Sequence, residues 1–200
     1  SFNRPASDAE KALLAPFPDA VTAEILANGW QPPTSDGTGR DRAFLKAGLD
    51  KLTAAGFKIE GGKLIGPGGK PLAFEIMLKA KQSEQLAIAW QQTLARVGID
   101  VTIRSVDAAQ FLERQVNYDF DAMFFNYTSS LSPGVEQVAR WGSAAKDSPG
   151  TFNYAGVANP AVDALIDRLI NARTREEFVE AVRAYDRVLL SGAYALPLYF

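Results

Sequence analysis

The sequence predicts a single α/β domain of three layers, with helices on both faces of a mostly parallel sheet. Hydrophobic residues make up 47% of its 200 residues and charged residues 22%, which is typical of globular domains and not of disordered chains. Between residues 73 and 103 a strand, a helix and a second strand follow one another, the pattern of a βαβ unit with parallel strands. Two helices with regular apolar faces then close the chain.

The amino-terminal part is expected to be a loosely organised lead-in. Residues 1–38 would form it, with short helices near residues 8–14 and 20–27 before a loop rich in proline and glycine. Residues 39–200 would form the α/β core of the same domain.

A helix and a hairpin are predicted at the start of this core. The helix begins near Arg40 and ends at Gly56, because apolar residues recur there at helical spacing before a glycine. Its apolar stripe would consist of Phe44, Gly48, Leu52 and Ala55, with Leu49 beside it. Glycine pairs on both sides of residues 63–65 predict two short hairpin strands.

Three predicted strands build the central sheet. Apolar and β-branched residues at 73–78 and 99–103 predict the first two, and a helix at 83–97 joins them. The buried face of this helix would consist of Leu86, Trp90, Leu94 and Val97. After a short helix at 108–115, residues 120–127 predict the third strand.

Three helices follow the third strand. The first is predicted at residues 134–141, between the polar loop 128–133 and a loop that runs to Gly156. The second has apolar residues at i, i+3, i+4, i+7 and i+8. These residues are Val162, Leu165, Ile166, Leu169 and Ile170. The third would bury Phe178, Val182, Tyr185 and Leu189.

The composition excludes several classes of function. The chain contains no cysteine and no histidine, so disulfides, thiol nucleophiles, histidine bases and Cys/His metal sites are ruled out. The 21 basic and 23 acidic residues give a net charge of -2 without a basic run, which argues against a nucleic-acid partner. No apolar stretch approaches the roughly 18 residues of a membrane span. No cofactor is expected.

The two ends of the chain suggest a fragment of a longer protein. The chain begins without a methionine or an apolar leader, and it ends in the apolar run 195–200 where polar residues are usual. We therefore expect it to have been excised from a longer sequence.

Two polar patterns could carry chemistry, and each has a structural alternative. Asp119 and Asp121 stand two apart in a predicted strand, so their carboxylates would share a face and could bind a divalent cation or activate a water. A solvated strand edge has the same appearance. The glycine-rich segment 61–70 lacks the spacing of a phosphate loop and is interpreted as a turn.

A serine-rich loop follows the third predicted strand at its carboxyl end, where ligands bind in open α/β sheets. Its hydroxyl and backbone N–H groups would suit a peptide backbone, a carboxylate or a sugar, and a structural turn is the alternative. The loop contains Thr128, Ser129, Ser130, Leu131, Ser132 and Pro133. Near the end of the next predicted helix, Trp141 could either line a cleft or lie in the core.

Several of these runs resemble the family 5 extracellular solute-binding proteins of oligopeptide and dipeptide ABC importers. Those similar to motifs of the whole family are Tyr118 with Asp119 before a hydrophobic strand, residues 159–166, and residues 195–199 after the last long helix at 174–190. Those similar to its YejA-like branch of oligopeptide-binding components are residues 35–42, 130–134 and 140–145. The resemblance covers the chain from about residue 8 onward.

The resemblance implies a periplasmic-binding-protein-like lobe with a central mixed, mostly parallel sheet flanked by helices. Family members are more than twice this length and close two lobes on a peptide, so the chain would be most of the C-terminal lobe and would lack the N-terminal lobe. The full protein would not be an enzyme. It would capture oligopeptides or modified peptides in the periplasm of a Gram-negative cell and deliver them to an inner-membrane ABC permease.

The resemblance also implies where a peptide would be held. The residues expected to face the cleft are Asn126, Tyr127, Ser129, Ser130, Leu131 and Ser132, with Arg140 and Trp141 as further candidates. Better-known oligopeptide binders have an aspartate after the third strand that pairs with the peptide amine, whereas residues 126–130 contain no carboxylate. Hydroxyls or the other lobe would then hold the amine, or the ligand would be a blocked or modified peptide.

Two other classes of function stay open at this point. A small hydrolase would use Asp119 and Asp121 with a metal or a water, and a chelator would abolish its peptide cleavage. An α/β interaction domain would have a flat surface and no small-molecule site.

Replacing Ser130 and Ser132 together by alanine in the full-length protein is expected to weaken peptide binding. Each lost hydroxyl would remove a hydrogen bond of about 0.5–1.5 kcal/mol. Isothermal titration calorimetry with short peptides measures the change, and Ser105→Ala, outside the loop, is the control. Unchanged affinity would show that this loop does not hold the ligand.

Overall fold

The structure is a computed structural model that describes residues 3–79, 83–128 and 132–197, and its chain forms two compact units. The first unit comprises the described residues of the ranges 1–32 and 127–200, and the second those of the range 33–126. Each unit has its own hydrophobic core. None of the helices within the described ranges is long and apolar enough to cross a membrane.

Eight helices and five strands make up the described parts of the chain. The strands are β1 (Lys58–Glu60), β2 (Lys63–Ile65), β3 (Ala73–Lys79), β4 (Asp100–Val106) and β5 (Ala122–Met123). The helices are α1 (Asp8–Leu14), α2 (Ala23–Asn28), α3 (Arg42–Ala54), α4 (Glu84–Ala95), α5 (Ala108–Val116), α6 (Glu136–Trp141), α7 (Pro160–Ile170) and α8 (Arg175–Gly192). A short 3-10 turn, Ser143–Ala145, follows α6.

The sheet of the second unit confirms the α/β class and the βαβ unit. Its strands run in the order β4-β3-β5, and both pairs are parallel. At the centre, Ile76, Met77 and Leu78 of β3 are fully buried, as expected for the middle strand of a covered parallel sheet. Within the described residues this sheet is parallel and not mixed, and antiparallel pairing lies outside it, in the β1–β2 hairpin and in an isolated bridge between Ile65 and Pro71. Gly61 and Gly62 form the turn of the hairpin with φ of 56° and 78°.

The third strand is much shorter than the predicted 120–127. It pairs with β3 only through Ala122 and Met123. Just before it, the Asp121 Oδ2 atom accepts the backbone N–H of Glu75 at 2.9 Å. This carboxylate occupies the donor that a longer β5 would have paired with, so the ladder begins at Ala122, two residues later than predicted.

The buried face of α3 in the second unit is displaced from its predicted position. In α3, Leu45, Leu49 and Leu52 pack against the core, whereas Phe44 is 39% exposed and Gly48 is exposed. The buried stripe of α3 is thus rotated by about one residue from the predicted one. Apolar periodicity shows how wide the apolar face of a helix is, but it does not show which side of that face is buried.

The buried face of α4 is close to the predicted one and differs at Leu86. Ala87 is fully buried in this helix, and Leu86 is 39% exposed. Trp90, Leu94 and Val97 pack in the core as predicted.

Helices α7 and α8 build the core of the first unit. In α7 four of the five predicted stripe residues are buried, while Ile170 at the helix end is 37% exposed. The buried residues of α8 are Ala181, Ala184, Tyr185, Arg187 and Val188. The predicted Phe178, Val182 and Leu189 are partly buried around them.

Residues 1–32 are more firmly packed than a loose lead-in. Leu14, Val21 and Ile25 are buried in the same core as α7 and α8. The assignment of the whole chain to one lobe stays a prediction.

A buried arginine of α8 connects these amino-terminal helices to the core. Arg187 and Glu10 are both 0% exposed, and Arg187 Nε donates to Glu10 Oε2 at 2.6 Å. The two terminal nitrogens of Arg187 donate to the carbonyl oxygens of Ile25 at 2.8 Å and Arg4 at 3.1 Å. The Arg4 side chain pairs with the other oxygen of Glu10. Every polar group of this cluster therefore has a partner, as a buried charge requires.

Arg187→Met is expected to destabilise the chain by about 3–5 kcal/mol, because it leaves the Glu10 carboxylate buried without its main partner. Urea unfolding followed by circular dichroism measures the loss. Arg183→Met is the matched control, since Arg183 lies on the same helix and is 42% exposed. Adding Glu10→Leu to Arg187→Met should recover part of the stability. Equal effects of Arg187→Met and the control would contradict the assignment.

Candidate functional site

The structure describes five of the eight residues predicted to bind the ligand. Ser129, Ser130 and Leu131 lie outside the described residues. Asn126 is exposed and belongs to the second unit, and the other four described residues, Tyr127, Ser132, Arg140 and Trp141, belong to the first. We call Tyr127 with Thr128 the leading flank of the loop, and residues 132–134 its trailing flank.

The end of α6 holds the leading flank. The rings of Tyr127 and Trp141 are stacked, with centroids 5.3 Å apart and an interplanar angle of 28°. Arg140 Nη2 donates to the backbone oxygen of Thr128 at 2.5 Å. Trp141 also packs against the core of the first unit, so it both joins the core and supports the loop.

The start of α6 holds the trailing flank. Glu136 Oε1 accepts the backbone N–H of Gly134 at 3.0 Å and the Gln137 Nε2 atom at 3.0 Å. Gln137 Oε1 in turn accepts the Tyr185 hydroxyl of α8 at 2.9 Å. A chain of hydrogen bonds thus runs from a buried tyrosine to the loop backbone.

The charges in this chain follow from its contacts. Hydrogen bonds from Gln137 and from the Gly134 N–H hold the pKa of the Glu136 carboxyl below its ordinary value of 4.5. Burial raises the pKa of the Tyr185 hydroxyl, and the charge of Glu136 adds to the shift. Glu136 is therefore an acceptor and Tyr185 a donor at neutral pH.

The segment after α6 fixes the helix from its other end. Asp163 Oδ1 of α7 accepts the backbone N–H of Ser143 at 2.8 Å. The fully buried Asn153 donates to the backbone oxygen of Gly142 at 3.0 Å. These contacts attach α6 to the core, so the helix can hold both flanks in place.

A shallow depression of about 260 Å³ opens beside the trailing flank. Pro133 and Gln137 line one side of it, and Val182, Tyr185 and Leu189 of α8 line the other. The depression thus lies between the start of α6 and helix α8.

The two aspartates of the hydrolase hypothesis have structural partners. Asp119 Oδ2 lies 3.0 Å from Arg114 Nε, and Asp121 accepts the Glu75 N–H in the sheet. Across the described ranges, no group of three or more Asp or Glu side chains is placed to bind a metal ion. These contacts favour the solvated strand edge over a catalytic pair.

Sequence reasoning missed the residues that support the loop. The sequence pattern does not single out Glu136 or Gln137, and it predicts Tyr185 only as an apolar core residue. A proline–glycine pair followed after one residue by Glu136 and Gln137 is a signal that could have indicated a helix start hydrogen-bonded to the loop before it.

Residues 19–149 match the bacterial extracellular solute-binding proteins, family 5 middle. The chain belongs to this family. The solved structure of the oligopeptide-binding protein AppA from Bacillus subtilis, in complex with a nonapeptide, is similar with a TM-score of 0.67 and 20% identity. The alignment covers 93% of this chain and 38% of AppA, so this chain has the α/β fold of the corresponding part of AppA.

Three curated relatives are similar in sequence. A putative binding protein of Brucella melitensis is 51% identical over 199 residues, which is 100% of this chain and 32% of the relative. In Agrobacterium fabrum, the peptidoglycan-binding protein YepA is 46% identical over 200 residues, and the probable peptide-binding protein YejA is 35% identical over 192. These alignments cover 100% and 96% of this chain, and 32% and 31% of the relatives. The chain spans about a third of the length of the curated relatives it matches.

Glu136→Gln is expected to lower stability most near neutral pH. The folded state lowers the Glu136 pKa, so its stabilising effect is present above pH 4.5 and is lost as the pH falls through the folded pKa. Urea unfolding from neutral pH to about pH 3 should show the wild-type advantage shrinking. Glu113→Gln, on an exposed position of α5, is the control. An advantage that is independent of pH would contradict the assignment.

Proposed function

We propose that this chain is most of the C-terminal lobe of a two-lobed binding protein that captures peptides in the periplasm and delivers them to an inner-membrane ABC permease. Membership in solute-binding family 5 carries the proposal. Relatives named as binding proteins align along the whole chain, and the fold resembles that of a nonapeptide-bound protein. The role is binding and release, without a catalytic step.

The described groups of the site suit a peptide main chain. Asn126, Tyr127, Thr128 and Ser132 are uncharged and offer amide, hydroxyl and backbone groups. Such groups can form hydrogen bonds with the N–H and C=O groups of any peptide. The side chains of the peptide would then lie in water-filled pockets that accept different residues. The Arg140 side chain donates to the Thr128 backbone oxygen. This contact supports a role for Arg140 in holding the backbone beside the site.

Peptide-bearing fragments of peptidoglycan are a second candidate for the ligand. The relative named a peptidoglycan-binding protein is 46% identical, against 35% for the one named a probable peptide-binding protein. Peptidoglycan carries short peptide stems, so it offers the main chain that the site suits together with a modified amine end. This fits the lack of a carboxylate at residues 126–130.

Peptide ligands are expected to stabilise the full-length protein against thermal unfolding. At about 100 times the Kd the gain is about 2.7 kcal/mol, because the ligand binds only the folded state. The probes are a mixture of tri- to pentapeptides and peptidoglycan fragments released by a muramidase. The 200-residue chain alone should show no shift, since it supplies one face of the cleft.

A glycan oligosaccharide without peptide is the matched control and should leave the transition unchanged. No shift with either peptide-bearing probe would overturn the proposal. Mass spectrometry of the recovered peptides tests the hydrolase alternative, which requires cleavage that a chelator abolishes.

A further inference from the structure

We propose that Arg140 and Tyr185 are positioning residues that set ligand affinity by holding the two flanks of the site, without touching the ligand. The inference rests on the proposed function, because it assigns affinity to a site that the function requires. Arg140 acts on the leading flank and Tyr185 on the trailing flank.

At the leading flank, one short helix end makes two different contacts. The Arg140 guanidinium binds the Thr128 backbone oxygen at 2.5 Å, and the neighbouring Trp141 ring stacks on Tyr127. A charged donor on a carbonyl fixes the backbone, and stacking fixes the adjacent side chain. Without the guanidinium, the Tyr127 ring would keep its stacking partner but lose its fixed backbone.

At the trailing flank, the Tyr185 hydroxyl acts through two side chains. It donates to Gln137, Gln137 donates to Glu136, and Glu136 accepts the Gly134 N–H. Tyr185 and Gln137 are each only about one-twentieth exposed, at 5%. Removal of the hydroxyl leaves the buried Gln137 oxygen without this donor, so Gln137 must reorient and its bond to Glu136 is disturbed.

Both contacts depend on the same rigid element. Helix α6 packs against α7, and Asp163 and Asn153 hold the turn that follows it. The flanks therefore take their positions from the core of the first unit. A site held in this way is preorganised, which strengthens binding by lowering the ordering cost.

The test uses Arg140→Gln, Arg140→Lys and Tyr185→Phe in the full-length protein. The matched controls are Tyr194→Phe, whose hydroxyl accepts Asn159 Nδ2 at 3.2 Å in the same unit, and the exposed Arg168→Gln of α7. Calorimetry measures the Kd for the tri- to pentapeptide mixture and for the muramidase-released peptidoglycan fragments. Two measurements without ligand report on the flanks themselves.

The first ligand-free measurement is the near-ultraviolet circular dichroism of the Tyr127–Trp141 stack, taken as the difference from Trp141→Leu. The second is hydrogen exchange of a peptide covering residues 132–136, which contains the Gly134 N–H. Arg140→Gln should reduce the first signal and Tyr185→Phe the protection in the second. Arg140→Lys should restore much of the first signal, because lysine can also donate to the Thr128 oxygen.

We expect Arg140→Gln and Tyr185→Phe to raise the Kd by roughly threefold to tenfold and the controls to leave it unchanged. A wild-type Kd in both variants would overturn the inference and leave the proposed function standing. If the wild type binds neither probe, the proposed function is wrong and the claim about affinity falls with it. Unchanged ligand-free signals would show that the flanks are not held by these residues.

Discussion

The packing of the first unit depends on one buried charge, that of Arg187. The Arg187 guanidinium has no access to solvent, so each of its donors must find a protein acceptor. It finds them in Glu10 and in the backbone oxygens of Ile25 and Arg4. This requirement fixes α1 and α2 against α8 in a single arrangement, which apolar packing alone would specify less narrowly. Two residues earlier on the same helix, Tyr185 is held by the same packing.

Helix α6 connects Tyr185 to the candidate site. This helix is only six residues long, and its side chains divide between two tasks. Gln137 faces Tyr185 in the interior, while Arg140 and Trp141 hold the chain around Tyr127. A short helix with little stability of its own can serve as a template because its neighbours fix it at both ends.

Regular apolar spacing was sufficient to predict the βαβ unit and most of the buried face of α7. The spacing could not show that the Asp121 side chain would replace a ladder bond and shorten β5. Apolar spacing also assigns charged residues to the surface, so it does not predict Arg187 in the core. For the site, the serine-rich region and the two residues at the end of α6 stay predictions from sequence. The sequence does not predict the hydrogen bond of Tyr185 to Gln137, because the two residues are 48 positions apart.

The chain path of the two units has a consequence for biosynthesis. Residues 33–126 are contiguous and form a unit with its own core, so they can fold as soon as they have left the ribosome. The first unit is discontinuous, and Glu10 can form its ion pair with Arg187 only after 177 more residues have been synthesised. Its amino-terminal helices are therefore without their partners for much of translation, and closing so long a loop is slow. Residues 1–32 can therefore complete their core only after α8 has been synthesised, whereas residues 33–126 need no later part of the chain.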